Sequence, residues 1–335
     1  MEKRVSLKDI AKKVGVSIAS ISYVMNGQEK EKRVGLELAR RIREAAEELN
    51  YQPNQVARSL RTGSTKSIGL IVADIANPFF SHLARVIEDE AKNHSYTVLF
   101  GSSDEDSHKS DLLIKTLLNR QVDGFIIVPT EGTISQIKTL MRKKVPLVLI
   151  DRYFQEVNTN YVVLDNFQAT FDATSLFVEK GYKNICLVAY KSSLIHMRER
   201  IRGYSEAMQS SGLAEFICVR EIRFEHTQKE VDNVLISSVA NGKKPDAILF
   251  ANNALSVAGL LTAQKNKIRV PEDMAYIGFD GGDCFDLFRS PLTYVKQPLE
   301  EMGQEAFRIL YGIINGSSKT SHIMLNASIV IRNSC

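Results

Sequence analysis

Apolar residues in the first fifty positions recur at helical spacing. Leu7, Ile10, Ala11 and Val14 share one stripe, Ser6 precedes them with Asp9 at the third helical position, and Gly15 breaks the run, which is a capping-box start and a glycine stop. Ser17 can cap a second helix that turns Ile21, Val24 and Met25 inward and ends near Asn26-Gly27. After a charged loop over 28–33, the spacing of Leu38, Ala39, Ile42, Ala45, Ala46 and Leu49 predicts a third helix over 36–49, stopped by Tyr51-Gln52-Pro53. Asn54 can cap one more short helix over 55–61, before the linker Thr62-Gly63-Ser64-Thr65.

Beyond the linker the period changes. Short apolar runs at 68–73, 97–101, 124–128 and 146–150 suit buried parallel strands. Helical stretches lie between them, one carrying Phe80, Leu83, Ala84, Ile87 and Ala91 on a single stripe. A second series follows Asp165-Asn166: helix 168–179, strand 185–188, helix 199–211, a strand around 216–220, helix 227–240, strand 247–250, helix 254–265 and strand 275–279. The fold class expected is an all-α head plus an α/β body of two doubly wound parallel-sheet lobes, with ligand chemistry at the carboxyl ends of the strands.

Composition adds one thing to this pattern. Hydrophobic residues at 44% and charged residues at 24% of 335 describe an ordinary globular chain, and a net charge of +4 looks neutral. Divided at the linker it is not: residues 1–66 hold 14 Lys/Arg against 8 Asp/Glu, or +6, and the rest of the chain carries −2. A basic head is the asymmetry of a chain that meets a polyanion at one end. The head also has a helix, a Gly15-Val16-Ser17 turn and a second helix, the helix-turn-helix arrangement whose second helix enters the DNA major groove. Ile18, Ala19, Ser22 and Tyr23 face outward where base edges or phosphates would lie, and Ser17, Ser22 and Asn26 can donate to phosphates.

Other classes lose their signals. The start Met1-Glu2-Lys3-Arg4-Val5-Ser6 has no apolar stretch after it, and no apolar run approaches the ~18 residues of a membrane span, so a soluble, cytoplasmic protein with no membrane partner is expected. Cys186, Cys218, Cys284 and Cys335 form no C-x-x-C pair and read as free thiols. The first strand is followed by Asp74-Ile75-Ala76-Asn77-Pro78 rather than a glycine-rich dinucleotide turn, and neither a P-loop nor a G-x-S-x-G elbow is present. Asp104-Glu105-Asp106 with Asp111 lacks EF-hand register and reads as a solvated helix start. No catalytic residue, metal or cofactor is expected.

The motifs carry a resemblance across nearly the whole chain. Leu7-Lys8-Asp9-Ile10-Ala11, Gly15-Val16-Ser17, Val24-Met25-Asn26-Gly27, Leu49-Asn50-Tyr51-Gln52-Pro53-Asn54 and Ala57-Arg58-Ser59-Leu60 resemble the N-terminal signature of the LacI/GalR family of bacterial regulators. Lys66 to Val72, Asn77-Pro78-Phe79-Phe80, Val122 to Ile126, Val148 to Arg152, Ile277-Gly278-Phe279-Asp280, Gln297-Pro298 and Ile329 to Ser334 are similar to the family's later motifs. The resemblance implies a repressor-like regulator with a DNA-binding domain over 1–53, a hinge helix and linker over 54–66, and an effector-binding and dimerisation domain over 67–335. That last domain would divide into an N-lobe (67–165 and 296–325) and a C-lobe (166–295 and 326–335), similar to periplasmic sugar-binding proteins.

The resemblance also implies partners and roles. A homodimer would bind a near-palindromic operator in double-stranded DNA; the absence of leucine heptads after the last strand favours a dimer over a tetramer. Each reading helix would sit in a major groove and the hinge helices in the minor groove, with Leu60 as the apolar wedge and Asn54, Ala57 and Arg58 beside it. Tyr23 stands where many members carry arginine and cannot grip a guanine bidentately. Gly35 replaces the usual serine cap of the third helix. In the body, Phe79, Phe80, Asp151, His196, Arg200, Asn252 and Asp280 would meet a small-molecule effector, in this family most often a sugar or sugar derivative. Asn253 replaces an aspartate expected to cap the following helix, and Phe285 or Phe288 offers a further wall to the cleft.

Overall fold

The computed structural model describes residues 5–52, 63–240 and 245–335, with backbone only at 237–240. The chain divides into two compact units, Met1–Thr65 and Lys66–Cys335.

In the first unit, α1 (Leu7–Val14), α2 (Ile18–Met25) and α3 (Leu36–Glu48) follow the apolar stripes. The Asp9 carboxylate accepts from the Ser6 backbone N–H at 2.8 Å and from its hydroxyl at 2.7 Å, so donors otherwise left open at a helix start are satisfied. Gly15 ends α1 at φ 79°, a left-handed turn that favours glycine. Ile10, Ile21, Val24, Ala39, Ile42, Ala45 and Ala46 close a small core, and Gly35 starts α3 without a side-chain cap.

The second unit holds two parallel sheets. β1 (Ser67–Val72), α4 (Pro78–Asn93), β2 (Thr97–Ser102), α5 (Ser107–Asn119), β3 (Phe125–Ile127), α6 (Ile134–Arg142), β4 (Leu147–Ile150) and β5 (Asn160–Leu164) build the first lobe. α7 (Asn166–Glu179), β6 (Ile185–Tyr190), α8 (Ile195–Ser210), β7 (Cys218–Ile222), α9 (Thr227–Ala240), β8 (Ala247–Phe250), α10 (Asn253–Lys265), β9 (Ala275–Phe279), α11 (Asp283–Leu287) and β10 (Thr293–Lys296) build the second. The chain then returns to the first lobe for α12 (Leu299–Ile314) and β11 (His322–Leu325), and ends in the second with β12 (Ser328–Val330). Strand orders are β11-β5-β4-β3-β1-β2 and β12-β10-β9-β8-β6-β7, all parallel except the β10–β12 pair. The connections near 165, 297 and 326 therefore pass between lobes. The first sheet is covered on one face by α4 and α12 through Leu83, Ile87, Phe307 and Leu310, and on the other by α5 and α6 through Ile114, Leu117, Ile137 and Leu140.

Three expectations shift. α8 begins at Ile195, not 199, because its inward stripe carries His196 and Arg200, which an apolar count passes over. β7 lies over 218–222, not around 216–220; Phe216 ends a short 3₁₀ turn instead. Phe285 is fully buried against Tyr294 and the β9 glycine Gly278, so it belongs to the second core and is no wall of the cleft. Phe288 lines a groove of about 930 Å³ between α10 and α11, where Leu261 and Leu287 are exposed.

Candidate nucleic-acid interface and ligand cleft

α2 carries no charged side chain. Ser17 caps it, its hydroxyl oxygen accepting from the Ser20 N–H at 3.1 Å. Ser17, Ile18, Ala19 and Asn26 are exposed, while Ser22 and Tyr23 are half-buried. Asn26 turns its amide onto Ser22, donating to its carbonyl at 2.5 Å and its hydroxyl at 3.2 Å. One face of the helix thus offers apolar methyls flanked by small polar groups. Asn54, Ala57, Arg58 and Leu60 lie outside the described residues.

The second unit gathers charge where strands end between its lobes. Asp151 follows β4 and Asp280 follows β9, both in the left-handed region at φ 68° and 76°. These conformations aim the backbone sharply away from the strand, and aspartate tolerates them better than most residues. The Asp151 N–H bonds to the Val162 carbonyl at 3.0 Å and that of Asp280 to Val295 at 2.8 Å. Buried Arg152 forks onto Glu105 at 2.7 and 2.9 Å, and its Nε donates to Asp151 at 3.2 Å. Its guanidinium also lies 6.0 Å from the centre of the Phe80 ring, which meets Phe79 edge-on. Asn77 and Pro78 start α4 and so set both rings; both are packed in the first core.

Arg200 comes from the other lobe. It is buried, lies 3.8 Å above the Phe279 ring, and donates to Asn166 Oδ1 at 2.7 Å and the Ala251 carbonyl at 2.5 Å. Asp280 accepts from Gln297 Nε2 at 2.6 Å and from the Asn253 N–H at 3.3 Å. Asn252, half-buried, caps α10 by accepting from Leu255 N–H at 2.9 Å, so the capping falls to Asn252 and not to Asn253. Asn253 instead donates its amide to the Gly281 carbonyl at 2.6 Å and ties the helix start to the loop after β9. Glu131 of the first lobe accepts from the Ser192 hydroxyl at 2.9 Å, the Ser193 N–H at 2.5 Å and the Ser193 hydroxyl at 2.9 Å, all of the second. A cavity of about 250 Å³ opens beside Asp151, Asn166, His196, Glu199 and Arg202.

Burial raises the carboxyls of Asp151 and Asp280, and the nearby guanidinium charges (Arg152 and Arg200 for Asp151, Arg200 for Asp280) work against that rise. Burial lowers Arg200, whose two carboxylate neighbours oppose the change. His196 falls well below its ordinary value, through burial first and the charges of Arg152 and Arg200 second. Two buried atoms here lack a protein partner among the described residues, His196 Nδ1 and Gln297 Oε1. Asp151, His196, Arg200 and Asp280 are thus one electrostatic group, to which the structure adds Glu105, Arg152, Asn166 and Gln297. The sequence offered Arg152 and Gln297 only as members of motifs, and Glu105 only within an acidic run.

A depressed histidine has a consequence for stability. The unfolded chain binds a proton on this imidazole below about pH 6.5, where the folded chain does not. Its contribution is therefore complete above that pH and lost progressively as pH falls below it. Asp151 and Asp280, raised by burial, act in the opposite direction. His196→Gln should flatten the acid-side loss of melting temperature relative to wild type, measured by thermal melts at a series of pH values. Parallel curves would show that this imidazole does not set the acid limb.

Residues 6–54 match the family model of bacterial regulatory proteins of the lacI family, and residues 65–331 match that of periplasmic binding proteins and the sugar binding domain of the LacI family. The chain is 31% identical to catabolite control protein A of Priestia megaterium over 96% of both proteins. A lac repressor dimer bound to operator and an anti-inducer shares the fold with a TM-score of 0.88 at 22% identity, over 99% of both chains. The regulator CelR in complex with cellobiose does so at 0.71 and 23% identity, over 99% of this chain and 100% of that one.

A helix-turn-helix head and a two-lobed binding body define a class of protein, the DNA-binding regulator with a ligand-binding domain. The chain belongs to the LacI family of bacterial transcriptional regulators. It is a DNA-binding transcriptional repressor, and its family is not one of enzymes. No helix among the described residues is long and apolar enough to cross a membrane.

Proposed function

We propose that this repressor is a homodimer whose affinity for a near-palindromic operator is set by a sugar or sugar derivative held between the two lobes. The observation that carries the effector half is the group of buried Asp151, His196 and Arg200 with half-buried Asp280, and its two open hydrogen-bonding atoms, His196 Nδ1 and Gln297 Oε1. Such a mixture of fixed acceptors and forked donors suits a polyhydroxylated ligand, whose hydroxyls both donate and accept. Phe79 and Phe80, packed in the first core, back the site from behind Arg152, and Asn252 supplies a polar group on the other side. Cellobiose in the CelR complex is a ligand of this kind.

Ser17, Ile18, Ala19, Ser22, Tyr23 and Asn26 read the major groove, Ile18 and Ala19 through thymine methyls. Asn54, Ala57, Arg58 and Leu60 engage the minor groove. Exposed Leu261 and Leu287 on α10 and α11 give the dimer an apolar face. Effector closure of the lobes, where Glu131 meets Ser192 and Ser193, alters the spacing of the two heads and so the operator affinity.

Selection of bound duplexes from a random pool supplies the operator, and a thermal-shift screen of ribose, glucose, cellobiose and nucleosides supplies the effector. Anisotropy titrations of the selected duplex then test the reading. A sugar that raises the melting temperature should change the operator Kd at least tenfold, and Leu60→Ala should weaken operator binding by a further ~10–100-fold with the same sugar response. A pool that enriches for no sequence would overturn the DNA reading, and a sugar that binds without changing the operator Kd would overturn the coupling.

A further inference from the structure

β6 and β7 run side by side in a register that sets Cys186 opposite Cys218. Residues paired across neighbouring strands present their side chains on one face of the sheet, their backbones ~4.8 Å apart. Here the two Sγ atoms stand 2.8 Å apart, with one S–H donating to the other. That backbone spacing falls within the Cα separation of roughly 4.4–6.8 Å that a disulfide spans, so a bridge asks for side-chain rotation and no shift of the strands. Cys186 is buried, whereas Cys218 is half-exposed on β7, the edge strand of its sheet. Tyr204 holds the strands at this level, its hydroxyl donating to the Ile185 carbonyl at 2.7 Å and accepting from the Cys218 N–H at 2.8 Å. Neither thiol takes part in the head or the cleft.

We propose that Cys186 and Cys218 form a reversible dithiol–disulfide pair, with Cys218 as the thiol that an oxidant reaches and Cys186 as its resolving partner. With hydrogen peroxide as the oxidant, the Cys218 thiolate attacks one peroxide oxygen and the O–O bond breaks. Hydroxide leaves, takes up a proton and departs as water, and Cys218 is left as a sulfenic acid. The Cys186 sulfur then attacks the Cys218 sulfur and the S–O bond breaks. The departing hydroxide takes the Cys186 proton and leaves as a second water. Two thiols lose two electrons in all, and one peroxide is reduced to two waters.

The division of roles follows from the surroundings. The contact with Cys186 lowers the Cys218 thiol, aided by Arg220 and opposed by burial. The same contact, and then burial, push Cys186 up. The bridge joins the two ends of the segment that carries Ser192, Ser193, His196 and Arg200, so oxidation would staple the second lobe's contribution to the cleft.

The test uses the full chain with Cys284→Ser and Cys335→Ser, reduced and then treated with a few-fold excess of hydrogen peroxide. The expected product has lost two hydrogens in mass and yields, in a non-reducing digest, one linked pair of peptides containing Cys186 and Cys218. Dithiothreitol should reverse both signs, and the oxidised protein should melt several degrees higher. Cys186→Ala should stop at a Cys218 sulfenic acid that dimedone traps, and Cys218→Ser should resist the same dose. Sulfinic acid at Cys218 without the linked peptides, or cross-linking only between chains, would overturn the pair; since the unsubstituted pair itself gives this answer, a variant that fails to fold does not obscure it.

Discussion

Gly203→Ala should lower the stability of the binding domain by about 3 kcal/mol and its melting temperature by roughly 6–12 °C, read by calorimetry. A Cβ on Gly203 would stand 2.2 Å from the Phe167 carbonyl oxygen and 3.1 Å from the Phe171 nitrogen. Both are backbone atoms of α7, so no rotamer change relieves the overlap and α8 must draw back. Interiors packed as densely as crystals have no room for that retreat without opening voids elsewhere. Arg200 sits one turn before Gly203 on the same helix, with its hydrogen bonds to Asn166 and Ala251 drawn from fixed points. The variant should therefore also lose effector response, even where enough folded protein remains to bind DNA. A melting temperature within two degrees of wild type would mean that α7 and α8 are not in backbone contact there.

Sequence pattern carried the head and the central strands because each states itself locally. Ser6 with Asp9, Gly15 and Ser17 are cap and stop signals within a few residues of the helices they bound, and the central strands, β1, β4, β6 and β8, are unbroken or nearly unbroken buried runs. The edge strands β11 and β12 are three or four residues long and half-exposed, so they have no apolar signature to find. Aspartates at the ends of β4 and β9 were visible because the strand ends were.

Their partners were not visible, since Arg152 meets Glu105 across 47 positions of chain and Asp280 meets Gln297 across 17, with no period that connects them. The acidic run at 104–106 shows how one motif divides. Asp106 caps α5 at 2.6 and 3.0 Å, as a helix-start reading expects, while its neighbour Glu105 turns away to the buried arginine. Buried polar residues confuse the pattern in a second way. His196 and Arg200 lie on the inward stripe of α8, so an apolar count starts the helix a turn late.

Asp280→Asn should cost the chain at least ~100-fold in effector affinity while operator binding without effector stays within about twofold of wild type. The carboxylate stands between Gln297 and the Asn253 N–H and shares a field with Arg200, so its two oxygens are fixed acceptors at the end of β9. An amide keeps the shape but turns one acceptor into a donor. Gln297 Nε2 and the Asn253 N–H would compete for the single remaining oxygen, leaving none for a ligand hydroxyl. Charge-assisted bonds to hydroxyls are also about twice as strong as neutral ones, and that increment disappears with the charge. Asparagine is the informative replacement because it accepts the left-handed backbone at φ 76°. Asp280→Ala would add backbone strain of about 1 kcal/mol to the lost contacts and mix the two effects. Titration calorimetry with the sugar found by the thermal-shift screen separates them: Asp280→Asn should lose binding heat with a melting temperature within a few degrees of wild type. Unchanged affinity would remove Asp280 from the effector site and leave it as a structural anchor for Gln297 and α10.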